Sequence, residues 1–181
     1  IATMRRAGLV VAETLEVLRG SVRAGVTTGE LNAIAADCIT QRGATSNFLG
    51  YHGFTGVICA SVNEEVVHGI PGDRVLHDGD VISIDCGAVV EGWHGDAAIT
   101  VAVGEVADDV RELMRVTEES LWRGIAAARL GGRVTDISHA GFPRVILVTD
   151  RGYESVQNLE KYILRGQPRV MCVKMRQKIV L

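Results

Sequence analysis

The sequence predicts an α+β fold: two helices, an antiparallel hairpin, and a longer helix behind it. Three observations carry this. Apolar residues recur at helical spacing from Met4 to Leu18 and again from Leu31 to Ile39. Between Ser83 and Thr100 an apolar stretch leads into Asp85, breaks at Gly92 and Gly95, and resumes at Ala97-Ala98-Ile99, the pattern of strand, turn and strand. Helical spacing then returns from Val110 to Ala128.

The first helix rests on Met4, Ala7, Gly8, Val11, Leu15 and Leu18 and stops at Gly20. Thr27-Thr-Gly-Glu30 is a capping box, in which the threonine hydroxyl and the glutamate carboxylate satisfy each other's backbone donors. Behind it, Leu31, Ile34, Ala35, Cys38 and Ile39 form the apolar stripe of a second helix. Strands are expected near 56–62 and in the hairpin, with its turn near Glu91-Gly92. Asp108 and Asp109 favour a helix start through the macrodipole. That helix carries Val110, Leu113, Met114, Thr117, Leu121, Ile125 and Ala128 to the stop at Gly131-Gly132, and Thr135 caps one more. Farther on, Phe142–Gly152 reads as a short buried strand and a turn, 154–165 as a helix ending at Gly166, and 169–181 as alternating basic and apolar groups.

Composition narrows the class. A chain of 181 residues with 47% apolar residues and a net charge of −3 has the length for one domain with a sizeable core and is not disordered. It contains no run of eighteen apolar residues, so no transmembrane helix is expected, and Ile1-Ala-Thr-Met-Arg-Arg lacks the layout of a secretory signal. Cys38, Cys59, Cys86 and Cys172 form no CxxC pattern and read as small buried residues of a reducing compartment, so the cytoplasm is expected. Charge is unevenly spread. Residues 1–140 hold eleven arginines, no lysine and nineteen acids, a net of −8, whereas 141–181 hold five arginines, three lysines and three acids, a net of +5. The shift marks either a join near 140, with a divergent basic tail behind it, or an ordinary basic C-terminal tail.

The hairpin carries the most informative chemistry. Folding at Glu91-Gly92 brings Asp85 and Asp96, eleven positions apart, together between otherwise uncharged strands. A close carboxylate pair shares a proton or binds a cation, a divalent metal above all; the plain alternative is two exposed aspartates flanking a turn. His68 precedes Gly69-Ile70-Pro71, where glycine permits unusual dihedrals and proline fixes the exit, so the histidine is either aimed into a site or hydrogen-bonded within a loop. Phe48-Leu-Gly-Tyr51-His52-Gly53-Phe54, followed by Ile58-Cys59, concentrates aromatic groups in a chain that has few. Tyr51 and Phe54 line a site or are core aromatics, and Cys59 is a pocket wall or an ordinary strand residue. His52, His77 and His94 read as structural or exposed, and Trp93 as packing against the hairpin.

Leu-Gly-Tyr-His-Gly-Phe, Val-His-Gly-Ile-Pro and Ile-Asp-Cys-Gly…Gly-Trp-His-Gly-Asp, in that order and spacing, resemble the type I methionine aminopeptidases over about residues 1–140. Prolidases share the paired aspartates, but the Tyr-His-Gly-Phe segment favours the aminopeptidase. The resemblance implies the α+β pita-bread (creatinase/aminopeptidase-like) fold, here its first half plus a divergent tail. It implies two divalent metal ions (Co, Mn, Fe or Zn), with Asp85 chelating one and Asp96 bridging both. It implies a catalytic role for His68 at the peptide around the scissile bond, and a pocket for the methionine side chain at Tyr51, Phe54 and Cys59. Its partners would be N-terminal Met peptides of nascent proteins, with the ribosome as a second partner for the basic tail, and neither a membrane nor a specific DNA.

The family's site uses five metal ligands, adding a histidine in a Gly-His-Gly segment and two glutamates. This chain has no Gly-His-Gly, no histidine after His139, and glutamates at 154 and 160 that match no family motif; Val148-Thr-Asp-Arg-Gly152 resembles the family's closing strand, and the resemblance then puts Pro143 in the place of the metal-binding glutamate before it. Little or no peptidase activity is therefore expected of the chain as written. A non-catalytic relative that binds peptides or partners is the alternative reading. A Mg²⁺-dependent phosphoryl-transfer enzyme is a third, and the lack of a glycine-rich phosphate loop counts against it.

Overall fold

A computed structural model describes residues 1–140 and two short strands beyond them. Two compact units are present, Ile1–Met114 and Arg115–Leu181. In the first, helices α1 (Ala2–Ser21) and α2 (Thr28–Gln41) precede strands β1 (Thr45–Ser46), β2 (Ile58–Val62), β3 (Val81–Val90) and β4 (Trp93–Ala102). β3 is the central strand. It pairs antiparallel with β1 and β2 along one edge and with β4 along the other.

α1 buries Ala7, Val10, Val11, Thr14, Leu15 and Leu18. Four residues differ from the sequence expectation, Gly8 being exposed and Val10 buried. Met4 lies outside the buried stripe and is exposed, while Thr14 is fully buried because its hydroxyl donates to the Val10 carbonyl at 2.8 Å. α2 begins as expected: the Thr27 N–H donates to Glu30 Oε2 at 2.8 Å and the Glu30 N–H to Thr27 Oγ1 at 3.1 Å. The Thr27 N–H, with the Thr27 hydroxyl donating to the same Oε2 at 3.0 Å, holds the Glu30 carboxyl below the usual carboxylate range. Thr28, Leu31, Ala35 and Ile39 are buried from α2, whereas Cys38 is only partly covered.

The sheet has two unlike faces. Ile82, Ile84, Cys86, Ala88 and Val90 of β3 are buried with the helix stripes in one core, so the odd-numbered residues of β3 line the opposite face. The hairpin turns at Glu91-Gly92, with φ of 50° and 77°, the left-handed pair that suits a two-residue connection between twisted strands. Gly95 does not break the strand, contrary to the sequence reading. It lies within β4, where a Cβ would stand 2.6 Å from the carbonyl carbon of Ala7 and the nitrogen of Gly8. Glycine there lets α1 lie directly on the strand.

α3 (Asp108–Ala127) begins at the two aspartates as expected, but its apolar stripe is not buried: Leu113, Leu121 and Ile125 are exposed. α4 spans Val134–His139. Its N-cap position falls on Arg133, whose N–H donates to Asp136 Oδ2 at 2.8 Å, and not on Thr135. In the second unit β5 (Leu147–Thr149) pairs parallel with β6 (Val170–Cys172). β5 falls within the expected strand at 142–152, while the expected helix at 154–165 lies outside the described residues, as do Glu154, Glu160 and Pro143.

Candidate metal and peptide site

The antiparallel register decides which side chains can meet. Asp85 pairs with Cys59 on β2 and with Ala98 on β4, and Asp96 pairs with Gly87. Residues directly opposite share a face, as do residues two apart on one strand, so Asp85, Asp96, Cys59 and Gly87 all lie on the face away from the core. Asp85 and Asp96 are diagonal neighbours, close enough for the charge of Asp96 to act on the Asp85 carboxyl. Asp85 is half-buried and Asp96 exposed, so the pair is set on an open face and not sunk between strands.

Burial, reinforced by the charge of Asp96, pushes the Asp85 carboxyl up to about 6, with His68 pulling the other way. Cys59 is held up to about 11, by burial first and then by the two carboxylates. That value keeps it a neutral thiol, an apolar wall beside the acids. Among the described residues no arginine or lysine forms an ion pair with either aspartate, and no group of three or more His, Cys, Asp or Glu is placed to hold a metal.

His68 belongs to the connection between β2 and β3 and adopts a φ of 60°, unusual outside glycine. Its neighbours explain how that conformation is kept. The Gly69 N–H donates to Ser61 Oγ at 3.1 Å and the Ala60 N–H to the Gly69 carbonyl at 2.9 Å, seating the loop along β2. The Gly72 N–H donates to Thr28 Oγ1 at 3.0 Å, and the Gly29 N–H to the Gly72 carbonyl at 2.8 Å, tying the loop's end to the start of α2. A side chain at Gly69 would overlap the Ala60 carbonyl. The exposed imidazole thus stands on a segment fixed at both ends and acts electrostatically on Asp85.

Tyr51 begins a 3₁₀ turn, Tyr51–Gly53, whose His52 has a φ of 48° between two glycines of positive φ, Gly50 and Gly53. Tyr51 is 68% exposed and touches His52, at 4.4 Å between rings. Phe54 is partly covered and meets Phe48 edge-on at 6.5 Å. The structure therefore gathers Asp85, Asp96, Cys59 and His68, and places Tyr51 and Phe54 on the turn that leads into β2. Trp93 and His94, at the start of β4, are both exposed. Sequence reasoning missed Asn47, Ser61 and Gly87; the one available signal was a glycine at the position between Asp85 and Val89 on the same strand face.

Similarity to known proteins follows the same segments. The profile of Metallopeptidase family M24 matches residues 2–155. Methionine aminopeptidase 1 of Bacillus subtilis is 53% identical over 140 residues, covering 77% of this chain and 56% of that protein. The methionine aminopeptidase of Clostridium acetobutylicum is 50% identical over 141 residues, covering 77% and 56%. The crystal structure of methionine aminopeptidase from Thermotoga maritima superposes with a TM-score of 0.75 at 38% identity, again covering 77% of this chain and 56% of that one. The architecture is the first part of the pita-bread α+β fold. The chain spans about half the length of the curated relatives it matches.

Proposed function

The chain belongs to metallopeptidase family M24, and on that premise we propose that it carries the paired-aspartate and methionine-recognising half of a site for removing the N-terminal methionine of newly made proteins. The observation that carries this reading is the meeting of Asp85 and Asp96 on one sheet face, with Cys59 beside them and His68 on a fixed loop.

Near neutral pH a carboxyl that titrates at about 6 has mostly lost its proton, so Asp85 sets a charge beside Asp96, and among the described residues no arginine or lysine is paired with either. Oxygen donors of that kind suit a divalent cation, so the donor chemistry fits the ions the family uses. Such an ion, when bound, lowers the pKa of a water and polarises a carbonyl. Asp85 and Asp96 would hold it. His68, poised on its loop, donates a hydrogen bond to the peptide around the scissile bond. Cys59 and Phe54 give the thioether of methionine an apolar wall, and Tyr51 stands at its edge. Residues 1–140 form this half-site and 141–181 a divergent basic tail. Acting on nascent chains would suit a cytoplasmic protein.

Two carboxylates are fewer than the five ligands the resemblance implies, and the described residues add no third acid, histidine or cysteine. The second reading is a relative that binds peptides or partners without cleaving them. The test is release of methionine from Met-Ala-type peptides with and without Mn²⁺. The chain should give little or none. Metal-dependent release that Asp96→Asn abolishes would show a complete site and overturn this reading.

A further inference from the structure

We propose that the side-chain amide of Asn47 is a third oxygen donor to the cation held by Asp85 and Asp96, a role that rests on the metal reading above. β1 pairs Thr45 with Val89 and Ser46 with Ala88, and the next step of that register sets Asn47 opposite Gly87. The Asn47 N–H points to the Gly87 carbonyl at 3.5 Å. On its other side Gly87 pairs with Asp96. Asn47, Gly87 and Asp96 therefore form one row across the sheet, with Asp85 two residues along β3 on the same face.

Gly87 is what lets this row close up. A Cβ built on Gly87 would fall inside the van der Waals radius of Asn47 Oδ1, so the amide lies over the glycine, on the carboxylate face. Asn47 Oδ1 is buried and accepts no hydrogen bond, the one such side-chain atom among the described residues. A buried amide oxygen left without a partner is costly. Ionised carboxylates cannot relieve it, because they too are only acceptors. A divalent cation, or a water that it binds, satisfies all three oxygens at once. Asparagine supplies a neutral oxygen, which adds a ligand without adding to the repulsion between the acids.

Mn²⁺ affinity of the full chain, measured by water-proton relaxation, tests this, with thermal melts confirming that each variant is folded. Asn47→Ala should weaken binding about tenfold, as loss of a supporting group at a metal site does. Asn47→Asp should tighten it, since the oxygen is kept and a charge is gained. Gly87→Ala, which pushes the amide aside, should weaken binding when Asn47 is present and have no effect in the Asn47→Ala background. Equal affinity of wild type and Asn47→Ala would overturn the proposal. So would weaker binding by Asn47→Asp than by Asn47→Ala, because the amide would then be turned to donate its N–H to Asp96. No Mn²⁺ bound by wild type would instead sink the metal reading itself.

Discussion

Replacing Gly95 with alanine tests how α1 is seated on the sheet, and through it where Asp96 stands. The new Cβ would lie 2.6 Å from two backbone atoms of Ala7 and Gly8 and 2.7 Å from the Ala7 carbonyl oxygen. Ordinary contact begins near 3.4 Å, so helix and strand must separate by about 0.8 Å in a core packed at crystal density. The obstructing atoms are backbone, and no side-chain rotation relieves them. Overpacking of this kind costs about 1–3 kcal/mol, and a backbone obstruction belongs at the upper end. Alanine recovers roughly 0.5–1 kcal/mol over glycine within a strand, leaving a net loss of about 1.5–2.5 kcal/mol. For a chain of this size that lowers Tm by about 3–10 °C. Urea unfolding followed by circular dichroism measures it. Gly20→Ala is the control: its Cβ meets nothing within 4 Å, so it should gain about 0.5–1 kcal/mol from helix propensity alone. A Gly95→Ala variant as stable as wild type would refute the seating of α1 described above.

Three further outcomes follow from particular contacts. Asp85 has its carboxyl raised to about 6 from an ordinary 3.8, so its contribution to stability is complete below about pH 4 and is lost as pH rises through 6. Asp85→Asn should therefore raise Tm at pH 7.5 without divalent ions and leave it nearly unchanged at pH 4; equal shifts at both values would contradict the burial of that charge. Thr27→Ala removes the capping box and should cost about 1 kcal/mol by urea unfolding, with no loss meaning that α2 is held by packing alone. Gly69→Ala drives a Cβ into the Ala60 carbonyl and should cost about 1–3 kcal/mol; a neutral result would mean that the His68 loop is not seated on β2.

Local chemistry was legible in the sequence. The stripe of α1, the Thr27–Glu30 box, the helix start at Asp108 and the turn at Glu91-Gly92 each depend on residues within a few positions of one another. The aspartate pair was legible for the same reason, because a tight hairpin turns sequence spacing into register. What was not legible depends on distant partners. Gly95 looks like a strand breaker until α1 is laid over it. Val10 and Thr14 displace Met4 from the stripe because the sheet selects which side of the helix is covered. The periodicity of α3 predicts an apolar face but not whether anything packs on it, and here Leu121 and Ile125 are exposed. Asn47 carried no signal, since its place in one row with Asp96 comes from two ladders meeting at Gly87.

Calorimetric titration with Mn²⁺ at pH 7.5 and pH 5 tests the central claim most directly, that Asp85 and Asp96 form one cation-binding unit. With so few protein ligands, wild type should bind weakly, with Kd on the order of 10⁻⁴–10⁻³ M. Asp85→Asn and Asp96→Asn should each abolish binding. Affinity should fall about tenfold at pH 5, where a proton on Asp85, which titrates at about 6, competes with the ion. No binding by wild type, or binding that survives in both variants, would contradict the account.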